Sequence, residues 1–405
     1  MTEAFSSQVP IYLPRGFSFA AAAAGIKASG RPDLALIEAA EGTSAAAVFT
    51  KNRLVAAPVE VGREMLGASR GRVRAVVVNA GNANCATGLA GLKACRQVCQ
   101  QTAKGLSVAS AEVFPSSTGI IGVPLPSEKI IAKLPALFAS RQATEQKFLE
   151  FSDAILTTDT RRKIASVKFK AGANEVSILG VAKGSGMIHP QLATMLVYIM
   201  TDVAANASEL KSMLRDACDE SFNCISVDGD TSTNDTVLLL ASGQSRARVK
   251  EPGTKKKFKA ALGDVAKSLA DQVIRDGEGV QHVIRLHVEE AKSREEALQI
   301  ARTISHSLLV KTAFAGADPN WGRILAAVGR SGIAVDPSKI NILISDQIVC
   351  RNGASCAFDA AQAHTELSKP ECKITVRLRR GRNSIVFTTT DLTAEYVRIN
   401  ADYST

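Results

Sequence analysis

The interpretation of this chain depends most on one stretch, Lys183-Gly-Ser-Gly-Met-Ile-His-Pro-Gln-Leu-Ala-Thr-Met-Leu-Val-Tyr-Ile-Met-Thr-Asp202. It begins with a polar loop at 183–186 that contains two glycines, and a turn follows at 189–191. The apolar run from Met195 to Met200 then predicts a buried strand. Two interpretations of residues 193 and 194 fit this pattern. They are either part of an ordinary turn into a core strand, or the point where a self-cleaving chain exposes a new N-terminal nucleophile.

The composition is that of a globular protein, because 46% of the 405 residues are hydrophobic and 22% are charged. This length predicts two or three domains or one large α/β unit. Such a chain can bury a core without metals or disulfides. The eight cysteines include no Cys-x-x-Cys pair and have no histidine at zinc-ligand spacing. We therefore expect them to be small core residues in a reducing compartment.

The net charge of +10 has local maxima at 255–257 and 379–382, which fit a solvated helix start and a charged turn. Aromatic residues make up only 5% of the chain and do not alternate with the basic ones, so nucleic-acid binding is not predicted. A modest positive field can also help to collect carboxylate substrates. Residues 1–14 lack a secretory signal pattern, and no apolar run is long enough for a membrane helix. We expect a cytoplasmic protein with no membrane partner.

Predicted strands and helices alternate along the chain, and many of the strands are apolar on both faces. This pattern favours an α/β fold in which sheets are stacked and covered by helices. The clearest predicted strands are 45–50, 176–181, 195–200, 236–241 and 283–288, and the clearest predicted helices are 92–103, 206–222, 257–275 and 294–311.

Polar, glycine-containing loops lie beside several predicted strands, at 79–88, 115–122, 183–186 and 226–235. Such loops can present backbone N–H groups to a ligand, or they can be purely structural. None contains the phosphate-binding pattern Gly-x-x-x-x-Gly-Lys-Ser/Thr, and Gly-Glu-Gly at 277–279 is not a dinucleotide fingerprint.

A threonine nucleophile needs a base within hydrogen-bonding distance, and no histidine is well placed for Thr194 in the sequence. Cleavage before Thr194 would supply that base, because the new α-amine has a pKa of about 8 and is partly unprotonated at neutral pH. Self-cleavage would thus create the base beside the hydroxyl in one step.

The same residues carry a family resemblance. The pattern Lys183-Gly-Ser-Gly-Met-Ile-x-Pro-x-x-Ala-Thr-Met-Leu196 resembles the autoprocessing motif of the ornithine acetyltransferase family, also called glutamate N-acetyltransferase or ArgJ. The resemblance extends over nearly the whole chain and includes 79–88, 117–122, 157–160, 226–235, 276–279, 318–323 and 400–405.

The resemblance implies cleavage between Ala193 and Thr194, which gives an α chain of residues 1–193 and a β chain of residues 194–405. It implies that Thr194 is the acyl-accepting nucleophile and that Thr118 and Gly119 form the oxyanion hole. The substrate-binding positions that it implies are Thr157, Lys183, Thr194, Glu278, Asn400 and Thr405.

The implied activity is a ping-pong transfer of an acetyl group from N2-acetyl-L-ornithine to L-glutamate in arginine biosynthesis, without a metal or organic cofactor. Use of acetyl-CoA as a second acetyl donor stays open. The implied fold has stacked sheets flanked by helices, like DmpA and reminiscent of N-terminal-nucleophile hydrolases, and the implied assembly is an α2β2 heterotetramer. Two alternatives are a self-processing amidohydrolase or aminopeptidase and an unprocessed binding protein.

Overall fold

The computed structural model describes residues 10–188 and 195–402. Within these ranges the strands are β1 (Phe17–Ala22), β2 (Leu34–Ala39), β3 (Ser44–Phe49), β4 (Ala75–Asn82), β5 (Val113–Ile120), β6 (Lys163–Ala171), β7 (Asn174–Lys183), β8 (Leu196–Thr201), β9 (Ile225–Ser226), β10 (Thr236–Ala241), β11 (Val283–Ala291), β12 (Asn341–Ile344), β13 (Gln347–Arg351), β14 (Ala354–Ser355), β15 (Glu371–Arg377) and β16 (Asn383–Thr390).

The α-helices in the same ranges are α1 (Ala57–Ala68), α2 (Gly88–Leu106), α3 (Ser127–Ser140), α4 (Glu145–Ala154), α5 (Ala207–Asp219), α6 (Pro252–Arg275), α7 (Arg294–Ser305), α8 (Leu308–Ala315), α9 (Trp321–Gly329), α10 (Ala360–Leu367) and α11 (Ala394–Asp402). None of them is both long enough and apolar enough to cross a lipid bilayer.

The described strands form three sheets. The first has the order β1-β2-β4-β5, the second β3-β10-β8-β7-β6, and the third β14-β13-β12-β15-β11-β16-β9. In the second sheet, β8 pairs in parallel with β10 and antiparallel with β7. The strand that follows residue 194 therefore lies in the middle of that sheet.

The first two sheets pack face to face, because alternate residues of β8 enter two different cores. Leu196, Tyr198 and Met200 pack against the first sheet, whose Val76 and Val78 belong to the same cluster. Val197 and Ile199 face the opposite way, toward α5 and α6. Helices α2 and α3 cover the outer face of the first sheet. The result is a four-layer helix–sheet–sheet–helix arrangement, which confirms the predicted stacked α/β fold.

The third sheet has a core of its own, formed with α7, α8, α9 and α10. It joins the rest of the molecule through β9, which pairs with the end of β16 and leads into the loop before β10. That connection brings loop 226–235 alongside the second sheet, which contains β7, β8 and β10 and is called the central sheet below.

The prediction of a loop at 115–122 is wrong for most of this range, because residues 113–120 form β5. Among the described strands, β4 is its one partner, so it lies at the edge of its sheet. An edge strand tolerates Pro115, whose missing N–H a central strand would need. Thr118 and Gly119 are therefore strand residues and not loop residues.

Helix predictions were closer to the structure, with one clear exception. The helix predicted to begin at 206 is α5, which Asn206 caps, and the side chains of Asn206 and Glu209 form a reciprocal capping box. The single helix predicted at 294–311 is wrong, because α7 ends at Ser305 and α8 begins at Leu308.

Candidate active site

Residues from all four predicted loop regions meet at one pocket, which is partly open to solvent. Segments from 157–158, 278 and 400 complete its walls. The lining residues are Ala83, Thr118, Gly119, Ile121, Thr157, Thr158, Lys183, Ser185, Gly186, Met187, Ser232, Thr233, Asn234, Glu278 and Asn400.

Lys183 is the buried cation of this pocket, with only 2% of its surface exposed. Its Nζ donates to Thr157 Oγ1 at 2.8 Å and to Thr118 Oγ1 at 3.2 Å. It also lies 3.8 Å from Asp159 Oδ2. Lys183 is the last residue of β7, so the central sheet fixes its backbone while its head group faces the pocket.

A buried ion network supports Lys183 from behind. Lys163 Nζ lies 2.6 Å from Asp159 Oδ1 and 2.6 Å from Asp276 Oδ2, and its side chain is fully buried. Asp159 also accepts hydrogen bonds from the backbone N–H groups of Thr157 and Gly184, at 3.1 and 2.6 Å. The network thus joins the loops that carry Thr157, Lys183 and Glu278.

Opposite charges in this network act on each other's protonation. Burial by itself would raise the pKa of the Asp159 carboxyl, but the charges of Lys183 and Lys163 outweigh burial and hold the pKa well below its usual range. Burial lowers the pKa of Lys183, and the charge of Asp159 opposes that shift. Asp159 therefore stays ionised and favours the charged form of Lys183.

Thr118 and Gly119 lie at the end of β5, where its pairing with β4 becomes irregular. The Thr118 hydroxyl oxygen accepts from Lys183, which leaves its own O–H free to donate. Gly119 has a φ of +133°, and a Cβ at this position would lie 2.3 Å from the carbonyl carbon of Gly81. Only glycine fits this close approach of two strands.

Glu278 lies on another wall of the pocket and is held by Asn400. Asn400 Nδ2 donates to Glu278 Oε2 at 2.9 Å, and the Glu278 backbone N–H donates to Ser185 O at 3.1 Å. A Cβ on Gly186 would lie 2.3 Å from Glu278 Oε2, so the glycine makes room for the carboxylate. Asn400 belongs to α11, which brings the C-terminal part of the chain to the pocket.

The structure brings together Thr118, Gly119, Thr157, Lys183, Glu278 and Asn400, which are six of the site residues that the resemblance implies. Ala193, Thr194 and Thr405 lie outside the described residues. Of the threonines at 157–160, Thr157 contacts Lys183, whereas the Thr160 hydroxyl donates to Asp276. Thr157 and Thr158 both line the pocket, and Thr157 is the one whose hydroxyl accepts from Lys183.

The described chain ends on either side of 189–194 lie beside the same pocket. Met187 lines it, and Leu196 is the register partner of Lys183. A nucleophile at 194 would be two residues from that pair. The pocket therefore combines a buried cation, a carboxylate and potential oxyanion donors, a set that suits an amino acid and its acyl derivative.

Some supporting residues were not predicted. Asp159 and Asp276 lie within motifs that the sequence singled out, but their pairing with Lys163 did not follow from the sequence. Lys163 begins an ordinary strand, and its partner Asp276 is 113 positions away. Within the described part of the chain, no group of three or more histidine, cysteine, aspartate or glutamate side chains is arranged to hold a metal ion.

Curated relatives match this chain over nearly its full length. The arginine biosynthesis bifunctional protein ArgJ of Methylococcus capsulatus is 46% identical over 394 residues, which are 96% of this chain and 95% of the relative. The protein of the same name from Thermus thermophilus is 44% identical, over 98% of this chain and 100% of the relative. That of Chlorobaculum tepidum is 41% identical, over 97% and 96%.

Solved structures show partial similarity. The crystal structure of arginine biosynthesis bifunctional protein ArgJ from Bacillus halodurans is 38% identical and covers 51% of this chain and 98% of its own, with a TM-score of 0.49. Ornithine acetyltransferase complexed with ornithine, from Mycobacterium tuberculosis, is 33% identical and covers 45% and 94%, with a TM-score of 0.39.

The family comparison agrees with the curated relatives. The sequence model of the ArgJ family matches residues 18–405. Three relatives that are 41% to 46% identical over almost the entire chain carry the same family name. The chain belongs to the ArgJ family.

Proposed function

We propose that this chain is an acetyltransferase of arginine biosynthesis that moves an acetyl group from N2-acetyl-L-ornithine to L-glutamate. Its membership of the ArgJ family supports the pathway and the reaction class, because the curated relatives are named arginine biosynthesis proteins. The substrates and the steps below rest on the residues of the pocket and on the family resemblance.

The observation that carries this proposal is the pair of opposite charges in one pocket. Lys183 is a buried cation, and Glu278 is an anion held by Asn400. An α-amino acid carries a carboxylate and an ammonium group, so Lys183 is suited to its carboxylate and Glu278 to its amine. Both proposed substrates offer a carboxylate, and glutamate and ornithine also offer an amine.

The proposed nucleophile is Thr194, exposed as a new N-terminus by cleavage after Ala193. Its hydroxyl oxygen attacks the acetyl carbonyl of N2-acetylornithine, and its α-amine takes the hydroxyl proton. The carbon–nitrogen bond breaks, the proton passes to the departing ornithine amine, and acetyl-Thr194 remains. The amine of glutamate then attacks this ester, and its proton returns to the threonine oxygen.

Each attack places negative charge on the carbonyl oxygen. The Thr118 hydroxyl and the Gly119 N–H are the proposed donors to that oxygen. An oxyanion donor in a preorganised site contributes about 3–4 kcal/mol to transition-state stabilisation. Support comes from the free O–H of Thr118, since its oxygen already accepts from Lys183.

Further parts of the proposal follow from the family. We propose that no metal or organic cofactor takes part, that the cleaved chains assemble as α2β2, and that the enzyme acts in the cytoplasm. The curated relatives are called bifunctional, which supports a second activity. For this chain we propose that acetyl-CoA is the second acetyl donor and that glutamate is its acceptor.

A labelled-acetyl assay tests the proposal. Purified protein is incubated with N2-acetylornithine labelled in the acetyl group, with and without glutamate, and the products are separated. We expect labelled acetylglutamate and free ornithine in equal amounts. Label that appears only as free acetate would instead indicate a hydrolase and would overturn the transfer function. A parallel reaction with labelled acetyl-CoA and glutamate tests the second activity.

A denaturing gel tests the cleavage. The wild-type chain should give two fragments, whose N-terminal sequences begin near residue 1 and at Thr194, while Thr194→Ala should remain whole. An uncut wild-type chain that still transfers acetyl groups would contradict the role given to the α-amine of Thr194.

A further inference from the structure

The loop from Ser226 to Thr236 holds both ends of the segment 189–194. On the N-terminal side, Ile188 O accepts from Val227 N–H at 2.8 Å and from Ser226 Oγ at 3.0 Å. Met187 N–H donates to Asp228 Oδ2 at 2.5 Å, and Met187 has a positive φ of 56°. The chain entering the segment is thus fixed by consecutive residues of this loop.

The same loop holds the chain where it leaves the segment. Met195 N–H donates to Asp235 Oδ1 at 3.0 Å, and Met195 O accepts from Thr236 N–H at 3.1 Å. Beyond this point, Thr236 and Leu196 begin a parallel strand pair. One loop of eleven residues therefore sets the separation of the two ends of a segment in which we have proposed a peptide bond to be cleaved.

Asp235 is the least satisfied group of this loop. Only 1% of its surface is exposed, and its second oxygen, Oδ2, has no hydrogen-bonding partner among the described residues. The Ser232 hydroxyl is near enough to the Asp235 carboxyl to lower its pKa slightly. It does not form a hydrogen bond of normal geometry with Oδ2. A buried carboxylate oxygen without a partner is costly, and proteins rarely retain one without a use.

The surroundings of Asp235 disfavour its charged form. Burial raises its pKa well above the usual range, and the N–H of Met195 and the charge of Lys183, on β7, oppose that shift only in part. Among the described residues, Lys183 is a cation whose charge acts on Asp235. A second cation near Oδ2 would offset the cost of keeping this buried carboxyl ionised.

Cleavage after residue 193 would create such a cation. Thr194 is bonded to Met195, whose N–H is already held by Oδ1, and consecutive residues are about 3.8 Å apart. The residue that would carry the new α-amine is therefore covalently attached to the N–H group that Asp235 holds. We infer that Asp235 is the positioning residue and counter-ion of the α-amine that cleavage creates at Thr194, and this inference rests on the proposed function.

The two oxygens of Asp235 then have separate roles. Oδ1 holds Met195 and so positions the residue before it, both in the uncut chain and in the cleaved one. Oδ2 has no hydrogen-bonding partner among the described residues, and cleavage would provide an ammonium group for it. A nearby carboxylate raises the pKa of an amine, so Asp235 sets the pH at which that amine becomes free to act as a base.

Substitutions at Asp235 separate the two roles. Asp235→Asn keeps an Oδ1 acceptor but removes the charge, so we expect the chain to be cleaved and the acidic limb of kcat/KM for acetyl transfer to move to lower pH. The shift should be at least about one pH unit, as expected for a lost charge partner at close range. Asp230→Asn is the matched control, because this exposed side chain in the same loop contacts neither end of the segment.

Asp235→Ala removes the positioning contact as well. We expect cleavage in this variant to slow by about 100-fold, the cost of a small misplacement of reacting groups, whereas Asp230→Ala should be cleaved at the wild-type rate. Cleavage is followed by timed denaturing gels of freshly purified protein. The inference is overturned if Asp235→Asn and wild type share the same acidic limb, if Asp235→Asn stays uncut, or if Asp235→Ala is cleaved normally.

A stability comparison excludes a merely structural role. In uncut Thr194→Ala protein, adding Asp235→Asn should leave the melting temperature unchanged or raise it, because the uncut chain does not need the charge. A large fall in melting temperature would count against the inference. Failure of the proposed function looks different: the wild type itself would stay uncut or would fail to transfer the acetyl group.

Discussion

Lys183 and Leu196 are direct partners across the antiparallel pair of β7 and β8. This pairing connects the buried cation of the pocket to the chain two residues after Thr194, across one step of a central sheet. The position of Lys183 relative to Leu196 is therefore set by backbone hydrogen bonds and does not depend on a mobile loop. A reacting group at residue 194 would precede Leu196 by two residues, so the same strand pair would anchor it near Lys183.

Replacing Lys183 by methionine tests its role in binding the substrate carboxylate. A hydrogen bond to a charged group contributes about 1.5–3 kcal/mol, so kcat/KM for acetyl transfer should fall by at least about tenfold, mainly through a higher KM for glutamate. Steady-state kinetics at varied glutamate concentration measure this. Lys168→Met on the neighbouring strand is the control, because Lys168 pairs with Glu175 at the surface. Equal losses in both variants would argue against a specific role for Lys183.

Lys163 should matter for stability far more than a surface lysine. Lys163 is fully buried between Asp159 and Asp276. In Lys163→Met these two buried carboxylates would lose the positive charge that now balances them. Breaking such a network costs about 3–5 kcal/mol in the free energy of unfolding. Urea unfolding measures this difference. Lys259→Met removes an exposed pair with Asp216 and should cost less than about 1 kcal/mol. A loss at Lys163 as small as that at Lys259 would contradict the expectation.

Lys311 should make the protein more stable as the pH rises above 8. Burial lowers its pKa from 10.5 to about 8, and its ammonium group donates to the hydroxyl and carbonyl of Thr390. Between pH 8 and 10.5 the unfolded chain binds more protons at this position than the folded one, so the free energy of unfolding increases with pH. The increase amounts to about 3 kcal/mol.

Unfolding of wild type and Lys311→Met at several pH values between 7 and 10 isolates this contribution. The difference in stability between the two proteins should change with pH in favour of wild type. A constant difference over this range would show that Lys311 titrates normally.

Gly119→Ala should disrupt the join between β4 and β5. The new methyl group would overlap the backbone of Gly81, at a φ that favours glycine. We expect a loss of about 3 kcal/mol in the free energy of unfolding together with loss of activity. Gly122→Ala is the matched control, since it also has a positive φ but no heavy atom within 4 Å of the added carbon. Its cost should be about 1 kcal/mol. Thermal unfolding of both variants provides the comparison.

The sequence predicted those features whose signal is local. The apolar run after residue 194 is a buried strand because β8 faces a core on each side. Asn206 begins α5 because its side chain caps the nearest free N–H groups. The polar loops were recognised from their glycines, and the structure brings residues from each of them to one pocket.

Features that depend on distant partners could not be predicted. Residues 115–120 contain proline, serine and glycine and look like a loop, yet pairing with β4 makes them an edge strand. The importance of Lys163 depends on Asp276, which the fold alone brings near. The roles of Asp228 and Asp235 depend on where loop 226–236 meets the ends of the segment 189–194.

The position of β8 between β7 and β10 determines how a cut before this strand would change the reaction order of refolding. An uncut chain unfolds and refolds in a first-order equilibrium that does not depend on protein concentration. After a cut before β8, the two fragments share one sheet and can separate only when that sheet is lost. Refolding would then require two molecules to meet, so the unfolding midpoint would rise with concentration. A protein cut at this point would be protected by the slowness of its unfolding more than by its ability to refold.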